Sequence, residues 1–257
     1  MKIVTLAENT ACREDLTAEH GLSLYIETGA YKILFDMGQT DAFAKNAQVL
    51  GIDLSAVDFA VLSHGHYDHG GGLETFLQIN EKAPVFLQKE AFGRYYNGSN
   101  RYIGLPQRLK NHPRLSLTEG KWEPAPGMLL MPCNDQNWQF DSFGLTCERE
   151  DTLCPDPFFH EHYLLIREGE KRILFSGCSH KGIGNIAAHF HPHVLIGGFH
   201  LNKVDNIDIL HRTAQHLLQG ETVYYTGHCT GAKQLAVLQQ VMGSRLRRIG
   251  TGTVITI

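Results

Sequence analysis

The segment SHGHYDHGGG (residues 63–72), which we call the histidine loop, carries three histidines and an aspartate within six positions. In an extended chain His64 and His66 point to the same side, so their imidazoles can grip one cation. Asp68 and His69 are adjacent and diverge unless the backbone turns, and a turn directs them at a second point nearby. The layout predicts two metal ions about 3.5–4 Å apart, which clamp the attacking and leaving oxygens of a displacement.

Glycines set the backbone of the histidine loop. Gly65 leaves room for a tight backbone, and Gly70, Gly71 and Gly72 are expected to let the chain turn sharply into the next helix. Six residues cannot supply every ligand of two sites, because a structural zinc ion alone takes four ligands. Distant residues must therefore complete the set.

Further ligand-type residues stand where strands are predicted to end. The carboxyl ends of strands are where α/β folds place their chemistry. A single histidine at such an end is more often structural, but four ends that each deliver Asp, Cys or His favour a metal site. These residues are Asp36 in ILFDMG, Cys178 and His180 in ILFSGCSH, His200 in IGGFH, and His228 and Cys229 in VYYTGHCTG.

The first half of the chain must position the histidine loop. Short apolar or β-branched runs predict strands, and the turn ETGAYK predicts a hairpin in which Gly29 adopts positive φ. Thr40 is predicted to cap the first helix and Gly51 to end it. The predicted strands are 2–6, 22–27, 31–35, 59–62 and 85–87, and the predicted helices are 41–50 and 73–79.

The second half repeats this order of strand hairpins followed by strand–helix units. Two such halves predict two sheets face to face with helices outside, within a single domain over residues 1–257. Residues 89–127 are expected to be an irregular insertion, a lid or specificity loop, and 132–160 are expected to be similarly irregular. The predicted strands are 163–167, 172–175, 193–198, 222–225, 246–249 and 253–257, and the predicted helices are 182–189, 204–218 and 230–242.

Composition restricts the class of protein. Of 257 residues 42% are hydrophobic and 19% are charged, which predicts a folded core, and the net charge of −4 does not favour a nucleic-acid surface. No run approaches the ~18 apolar residues of a membrane span, and the N-terminus does not look like a signal peptide. We expect a soluble cytoplasmic protein whose six cysteines, none in a C-x-x-C pair, stay reduced.

The histidine loop resembles the H-x-H-x-D-H signature of the metallo-β-lactamase superfamily, and strand-end motifs follow in the expected order over nearly the whole chain. This resemblance implies an αββα sandwich with a one- or two-metal site at the edge between its sheets. The phrases LFDMG, GCSHKGI, GGFHL and GHCTG are similar to the branch of 7,8-dihydropterin-6-methyl-4-(β-D-ribofuranosyl)aminobenzene-5′-phosphate synthase-like proteins.

The resemblance implies roles for individual residues. His64 and His66 match the pair that binds the first metal, and Asp68 and His69 match the pair that binds the second. His228 matches the histidine that completes the second site. Asp36 matches an aspartate that orders the loop by hydrogen bonds. Positional similarity places three further residues on the opposite wall of the pocket, namely Asn9, Glu19 and His20.

The chain departs from the family pattern at two places. Cys178 occupies the slot of a bridging aspartate, and its thiolate favours a soft metal such as zinc, with His180 as the rival ligand. The third histidine of the first site has no counterpart in the usual setting, and FFHEHYL offers His160 and His162 instead. His180 is the alternative there too.

The predicted activity is that of a metal-dependent hydrolase or related transferase acting on a small, anionic or phosphorylated molecule. Asp68 orients the metal-activated water, and His200 or His180 protonates the leaving group. The cofactor is expected to be Zn²⁺, as one or two ions, with Mn²⁺ or Fe as alternatives. An anionic substrate is favoured by the basic and aromatic side chains of the insertion, which are Arg94, Arg101, Arg108, Lys110, Tyr95, Tyr96 and Tyr102.

Other functions compete with this one. A di-iron redox protein would need an electron-transfer partner, and Cys178 argues against the carboxylate-bridged iron of such sites. A non-catalytic metal-binding module is disfavoured because a chain of this size does not need metal to build a core. The insertion is compatible with a cover over the site or with a homodimer contact, and its basic and aromatic residues with ordinary loop packing.

Overall fold

The computed structural model describes residues 1–98, 101–134 and 140–257. These residues form eighteen strands and six α-helices. The strands are β1 (Lys2–Ala7), β2 (Ser23–Glu27), β3 (Lys32–Phe35), β4 (Phe59–Val61), β5 (Val85–Gln88), β6 (Tyr95–Asn97), β7 (Arg101–Tyr102), β8 (Leu115–Thr118), β9 (Trp122–Ala125), β10 (Met128–Met131), β11 (Leu145–Arg149), β12 (Thr152–Pro155), β13 (Tyr163–Glu168), β14 (Lys171–Phe175), β15 (Val194–Ile196), β16 (Val223–Thr226), β17 (Leu246–Arg248) and β18 (Val254–Thr256). The helices are α1 (Ala42–Val49), α2 (Tyr67–Gly70), α3 (Leu73–Ile79), α4 (Ile183–Phe190), α5 (Ile207–Leu217) and α6 (Ala232–Met242).

The chain divides into two compact units. Unit 1 comprises Met1–Gly120, Gly144–His162 and Gly250–Ile257, and unit 2 comprises Lys121–Phe143 and Tyr163–Ile249. Unit 1 is therefore built from three separate stretches of chain. The single domain with an insertion at 89–127 stays a prediction.

Unit 1 holds a seven-stranded sheet of order β18-β1-β2-β3-β4-β5-β8 and a four-stranded sheet of order β12-β11-β6-β7. The strands from β3 through β8 of the larger sheet run parallel. Phe43 of α1 and Phe76 of α3 are fully buried against strand residues such as Leu34. Because β3 and β4 are parallel neighbours, Asp36 and the histidine loop follow at the same edge of the sheet.

Unit 2 holds a seven-stranded sheet of order β17-β16-β15-β14-β13-β10-β9, in which β14, β15, β16 and β17 are parallel. The helices α4, α5 and α6 pack their apolar stripes, represented by Ile186, Leu210 and Leu238, on side chains such as Leu174 and Leu195 of the sheet. Three neighbouring parallel strands thus end at one edge. The residues that follow them there include Cys178, His200 and His228.

Most of the predicted strands and helices are confirmed, with two local corrections. The hairpin at 27–32 is present, but Gly29 is not among the glycines with positive φ. The hydroxyl of Thr28 holds that turn instead, by accepting hydrogen bonds from the backbone N–H groups of Ala30 and Tyr31. The helix predicted from residue 204 begins at Ile207, because the Asn206 side chain accepts hydrogen bonds from the first turn.

The expectation of irregular structure at 89–127 and 132–160 is wrong in detail. These stretches contain β6 to β9 and β11 to β12, and β8 extends the main sheet of unit 1 beside β5. The strands are only two to five residues long, too short for a hydrophobic period to identify them. None of the described helices combines the length and apolar composition that a membrane crossing requires.

Candidate metal centre

The histidine loop brings its four ligand-type side chains together inside unit 1. His64 and His69 are fully buried, and His66 and Asp68 are nearly so. The ligand atoms of His64, Asp68 and His69 all lie within 4.8 Å of one another, and the rings of His64 and His66 have centroids 4.6 Å apart. Asp68 and His69 lie in α2, whose single turn provides the change of direction that the sequence required.

The glycines of the loop are needed for space rather than for positive φ. None of Gly65, Gly70, Gly71 and Gly72 lies in the left-handed region. A Cβ on Gly65 would lie 2.1 Å from the carbonyl oxygen of Ala91, and one on Gly71 would lie 2.1 Å from that of Gln39. The predicted reason for Gly65, room for a tight backbone, is therefore confirmed, and for Gly70, Gly71 and Gly72 close packing is what requires glycine.

Asp36 orders the loop by the kind of hydrogen bonds predicted for it. Its carboxylate accepts from the backbone N–H of Ser63 (2.7 Å) and from the Ser63 hydroxyl (2.8 Å). The same carboxylate lies 2.7 Å from Nδ1 of His69. Because an ionised carboxylate only accepts, His69 must carry its proton on Nδ1, which makes Nε2 the basic nitrogen.

Ser63 extends this network to a second imidazole. Its hydroxyl proton is committed to Asp36, so at 2.8 Å from Nδ1 of His64 its oxygen must accept the Nδ1 proton. His64 and His69 are thus held in the same tautomer, with Nε2 as the basic nitrogen of each. The sequence interpretation did not select Ser63, although it directly precedes His64.

His160 and His162, the two candidates for the third histidine of the first site, both use their ring nitrogens in contacts within unit 1. Nδ1 of His160 accepts the backbone N–H of Gly65 (2.9 Å), and its Nε2 lies 3.0 Å from a carboxylate oxygen of Asp156. Nε2 of His162 donates to the carbonyl of Leu62 (2.9 Å), and Nδ1 lies 3.5 Å from the Thr118 hydroxyl. Both rings fasten the FFHEHYL segment to the histidine loop.

Burial keeps two of these imidazoles neutral. Burial, assisted by His160, lowers the pKa of His66 to about 3. Burial lowers the pKa of His162 to about 4 against the opposing bond to Leu62. Neutral imidazole is the form that binds metal, so His66 needs no deprotonation at neutral pH.

The three residues predicted for the opposite wall divide into two groups. His20 lies beside the loop, with Nε2 3.3 Å from the carboxylate of Asp68, and its Nδ1 lies 3.4 Å from the amide nitrogen of Asn9. Glu19 instead accepts hydrogen bonds from the backbone N–H of Gln39 (3.0 Å) and from the Thr40 hydroxyl (2.6 Å). Glu19 therefore holds a neighbouring turn, whereas His20 contacts Asp68 and Asn9 contacts His20.

Unit 2 gathers a second set, which we call the strand-end cluster: Cys178, His200 and Cys229. Their ligand atoms lie within 4.8 Å of one another. The ring centroid of His180 lies 4.3 Å from that of His200. The sequence interpretation noted Cys229 at a strand end but did not select it as a ligand, although it directly follows His228.

Strained backbone holds the strand-end cluster. Ser179, His200 and His228 have φ of 59°, 51° and 48°, a left-handed conformation that costs roughly 1–2 kcal/mol per residue. The backbone N–H of His200 contacts the sulfur of Cys229 at 3.3 Å. Such strain persists only where the surrounding structure over-determines it, and it concentrates at functional sites.

The surroundings of Cys229 favour its thiolate. Burial opposes ionisation, yet a hydrogen bond from Cys178 and the nearby imidazoles of His228 and His200 hold the pKa of Cys229 well below its usual range. All six cysteines are among the described residues, and none forms a disulfide. The predicted joining of Cys178, His180 and His228 to the ligands of the histidine loop stays a prediction.

Comparison with known proteins shows which family and which relatives the chain is similar to. Residues 16–228 match the sequence profile of the metallo-β-lactamase superfamily. The chain is 30% identical over 250 residues to an uncharacterized protein of Methanocaldococcus jannaschii, covering 93% of this chain and 94% of that protein. It is 28% identical over 284 residues to the 7,8-dihydropterin-6-methyl-4-(β-D-ribofuranosyl)-aminobenzene-5′-phosphate synthase of the same organism, covering 99% of this chain and 96% of the synthase.

The fold has a counterpart among solved structures. The crystal structure of a metal-dependent hydrolase of the β-lactamase superfamily matches this chain with a TM-score of 0.86 at 28% identity. The match covers 100% of this chain and 99% of the hydrolase. The predicted fold class and the predicted resemblance are confirmed.

Proposed function

We propose a function from one established premise: the chain belongs to the metallo-β-lactamase superfamily. The protein is a metal-dependent hydrolase, or a related transferase, that acts on a small anionic or phosphorylated molecule through metal-activated water. One observation carries this function. Asp36 and Ser63 hold His64 and His69 in one tautomer, with the Asp68 carboxylate within 4.8 Å of both rings' ligand atoms.

The donor set fits a borderline divalent cation. Imidazole nitrogens and a carboxylate suit Zn²⁺, with Mn²⁺ or iron as alternatives. When bound, such a cation acts as a Lewis acid and lowers the pKa of a water molecule toward ~7. His64, His66, Asp68 and His69 would hold one or two ions, and the resemblance adds His228 and, in the slot of the bridging aspartate, Cys178 or its rival His180.

The remaining roles belong to side chains that hold or move protons. His20 Nε2 lies 3.3 Å from the Asp68 carboxylate and holds it in place, and Asp68 would orient the attacking water by accepting a hydrogen bond from it. His200 or His180 protonates the leaving group.

Two of the four basic residues predicted for anion binding are already paired with carboxylates. Arg94 pairs with Glu148 at 2.7 Å and Arg108 pairs with Glu74, so both guanidinium groups are already neutralised. Nη2 of Arg101 instead donates to the hydroxyl of Tyr67 at 3.2 Å, and Tyr67 lies in the histidine loop. Arg101 is the proposed contact for an anionic group of the substrate.

A group-transfer reaction is the second candidate, favoured by the 28% identity to a synthase over 99% of this chain. Pterin phosphates therefore belong in the substrate panel beside simple phosphoesters. A di-iron redox protein and a non-catalytic module remain the competing functions. Stoichiometric iron would favour the first, and unfolding on metal removal would favour the second.

The test is metal content and turnover of Asp68→Asn and His69→Ala, with His211→Ala on the exposed face of α5 as the matched control. We expect both variants to lose metal and activity while the control keeps them. Arg101→Gln should raise KM for phosphorylated substrates with little change in metal content. Full metal content and turnover in both ligand variants would overturn the proposed function.

A further inference from the structure

The strand-end cluster contains two residues, His200 and Cys229, that the metal set predicted from the sequence does not use. We propose that Cys178, His200 and Cys229 bind a soft or borderline divalent cation, such as Zn²⁺, in a thiolate-rich site within unit 2. This site shares Cys178 with the ligand set of the proposed function, so His200 and Cys229 are the ligands that distinguish it and that carry its test.

The three proposed ligands come together because they follow adjacent parallel strands. Cys178, His200 and Cys229 follow the carboxyl ends of β14, β15 and β16, which are adjacent and parallel. Adjacent strands are about 4.8 Å apart, so side chains leaving their ends can meet at one point. Their ligand atoms lie within 4.8 Å of one another. Two sulfurs and one imidazole form a donor set that selects soft metals.

His200 supplies the second observation. Its Nδ1 and Nε2 are both buried and have no hydrogen-bond partner among the described residues. A buried imidazole normally satisfies its nitrogens, as His160 and His162 do in unit 1. A cation held with the two sulfurs would give one of these nitrogens the partner that it lacks.

Cys229 is fixed in place by its neighbours. The His200 N–H points at its sulfur, and a Cβ on Gly198 would lie 2.4 Å from that sulfur, so glycine is required there. An N–H group directed at sulfur stabilises the thiolate form. On binding, the thiol protons of Cys178 and Cys229 pass to solvent and the thiolates donate lone pairs, with no change of oxidation state.

The site has an open side. A cavity of about 430 Å³ in unit 2 is lined by His200 together with His180 and Phe143. Three protein ligands would leave a bound ion accessible to a molecule that enters from this cavity. A coordinated His200 would be a poor proton donor, so His180 would take the role of general acid where Cys178, its rival, is the metal ligand.

The experiment is a Co²⁺ titration of the full chain after chelator treatment. Binding is monitored through the near-ultraviolet charge-transfer absorption band of cobalt–thiolate bonds. Cys178 alone would give part of this absorption, so the decisive variant is Cys229→Ser. We expect the band to fall by about half, because one of two thiolates is lost. His200→Gln keeps both sulfurs but removes the imidazole ligand. The affinity for Co²⁺, measured from the rise of the band during the titration, should fall at least about tenfold.

Two controls separate this site from the proposed function. Cys133→Ser removes a buried cysteine of unit 2 outside the cluster and should leave the band unchanged. Asp68→Asn should reduce total cobalt bound but keep the band. An unchanged band in Cys229→Ser, or unchanged affinity in His200→Gln, would overturn the strand-end site. If Asp68→Asn lost the band and all bound cobalt together, the strand-end site would also be overturned, because a single ion at the histidine loop would then explain the band and the cobalt content.

Discussion

The histidine loop and the strand-end cluster hold ligand-type side chains by different means. In the loop, no residue from 63 to 72 has positive φ and side chains do the positioning, through Asp36, itself left-handed at φ 59°, Ser63 and His160. In the cluster, left-handed backbone does the positioning, and the nitrogens of His200 have no partner among the described residues. The left-handed backbone of His200 is unfavourable by roughly 1–2 kcal/mol, whereas no residue of the loop carries this cost.

The largest expected change in stability comes from disrupting the hydrogen bonds that Asp36 makes to the histidine loop. Asp36→Ala leaves the Ser63 donors and the His69 Nδ1 proton without their buried acceptor, and should destabilise the fold by about 3–5 kcal/mol. Asp36→Asn should cost less stability but lower metal affinity about 10–100-fold, because its amide favours the wrong His69 tautomer. Denaturant unfolding and metal titration measure the two effects. Asp58→Asn, an exposed acceptor for Lys32, should change neither.

The next largest effect is a dependence of folding stability on pH. Burial gives His162 a pKa of about 4 in the folded chain, against 6.5 for the unfolded chain. Between pH 6.5 and pH 4 the unfolded chain binds a proton that the folded chain does not, so stability falls as the pH falls. The loss should be on the order of 3 kcal/mol. His162→Gln should flatten the stability profile across this window, and an unchanged slope relative to wild type would contradict the assignment.

Glycine substitutions sharpen the contrast between the two regions. Gly71→Ala forces a methyl group against the carbonyl of Gln39 and should cost about 1–3 kcal/mol. Gly29→Ala meets nothing within 4 Å and is the matched control. Gly198→Ala should instead displace the sulfur of Cys229 and weaken the cobalt–thiolate band. Equal losses of stability in Gly71→Ala and Gly29→Ala would show that the loop backbone is not closely constrained.

The smallest expected effect is a gain in stability at the cluster. His200→Asn should stabilise the metal-free protein by under about 1 kcal/mol, because asparagine adopts left-handed φ more readily than histidine. His191→Asn, at the left-handed end of α4, should give a similar gain without affecting cobalt binding. Thermal unfolding in the presence of chelator measures both. Clear destabilisation by His200→Asn would mean that the cluster stores no strain.

The fold was predictable where a single pattern determined a whole element. The apolar runs before Asp36 and the histidine loop could only be strands, and the histidines themselves marked the loop. Strands as short as Tyr95–Asn97 escaped detection, because three residues carry no measurable period. They form through pairing with β11, which lies about fifty residues later in the chain.

The site was predictable where ligand types cluster in sequence, and less so where backbone geometry decides. His64, Asp68 and His69 were identified from spacing alone. The structural roles of His160 and His162 depend on hydrogen bonds to residues about 100 positions away, such as Gly65 and Leu62. Cys229 joins His200 because two loops meet at the ends of parallel strands, and that contact leaves no trace in either motif.

The order of strands in unit 1 has a consequence for synthesis on the ribosome. β1 pairs with β18, whose residues follow the whole of unit 2 in the chain. While the intervening residues are being made, the outer edge of β1, with its sequence KIVTLA, has no partner. An unpaired, β-branched edge is a template for another chain. Until β18 has been synthesised, this edge of β1 is therefore open to pairing with another chain.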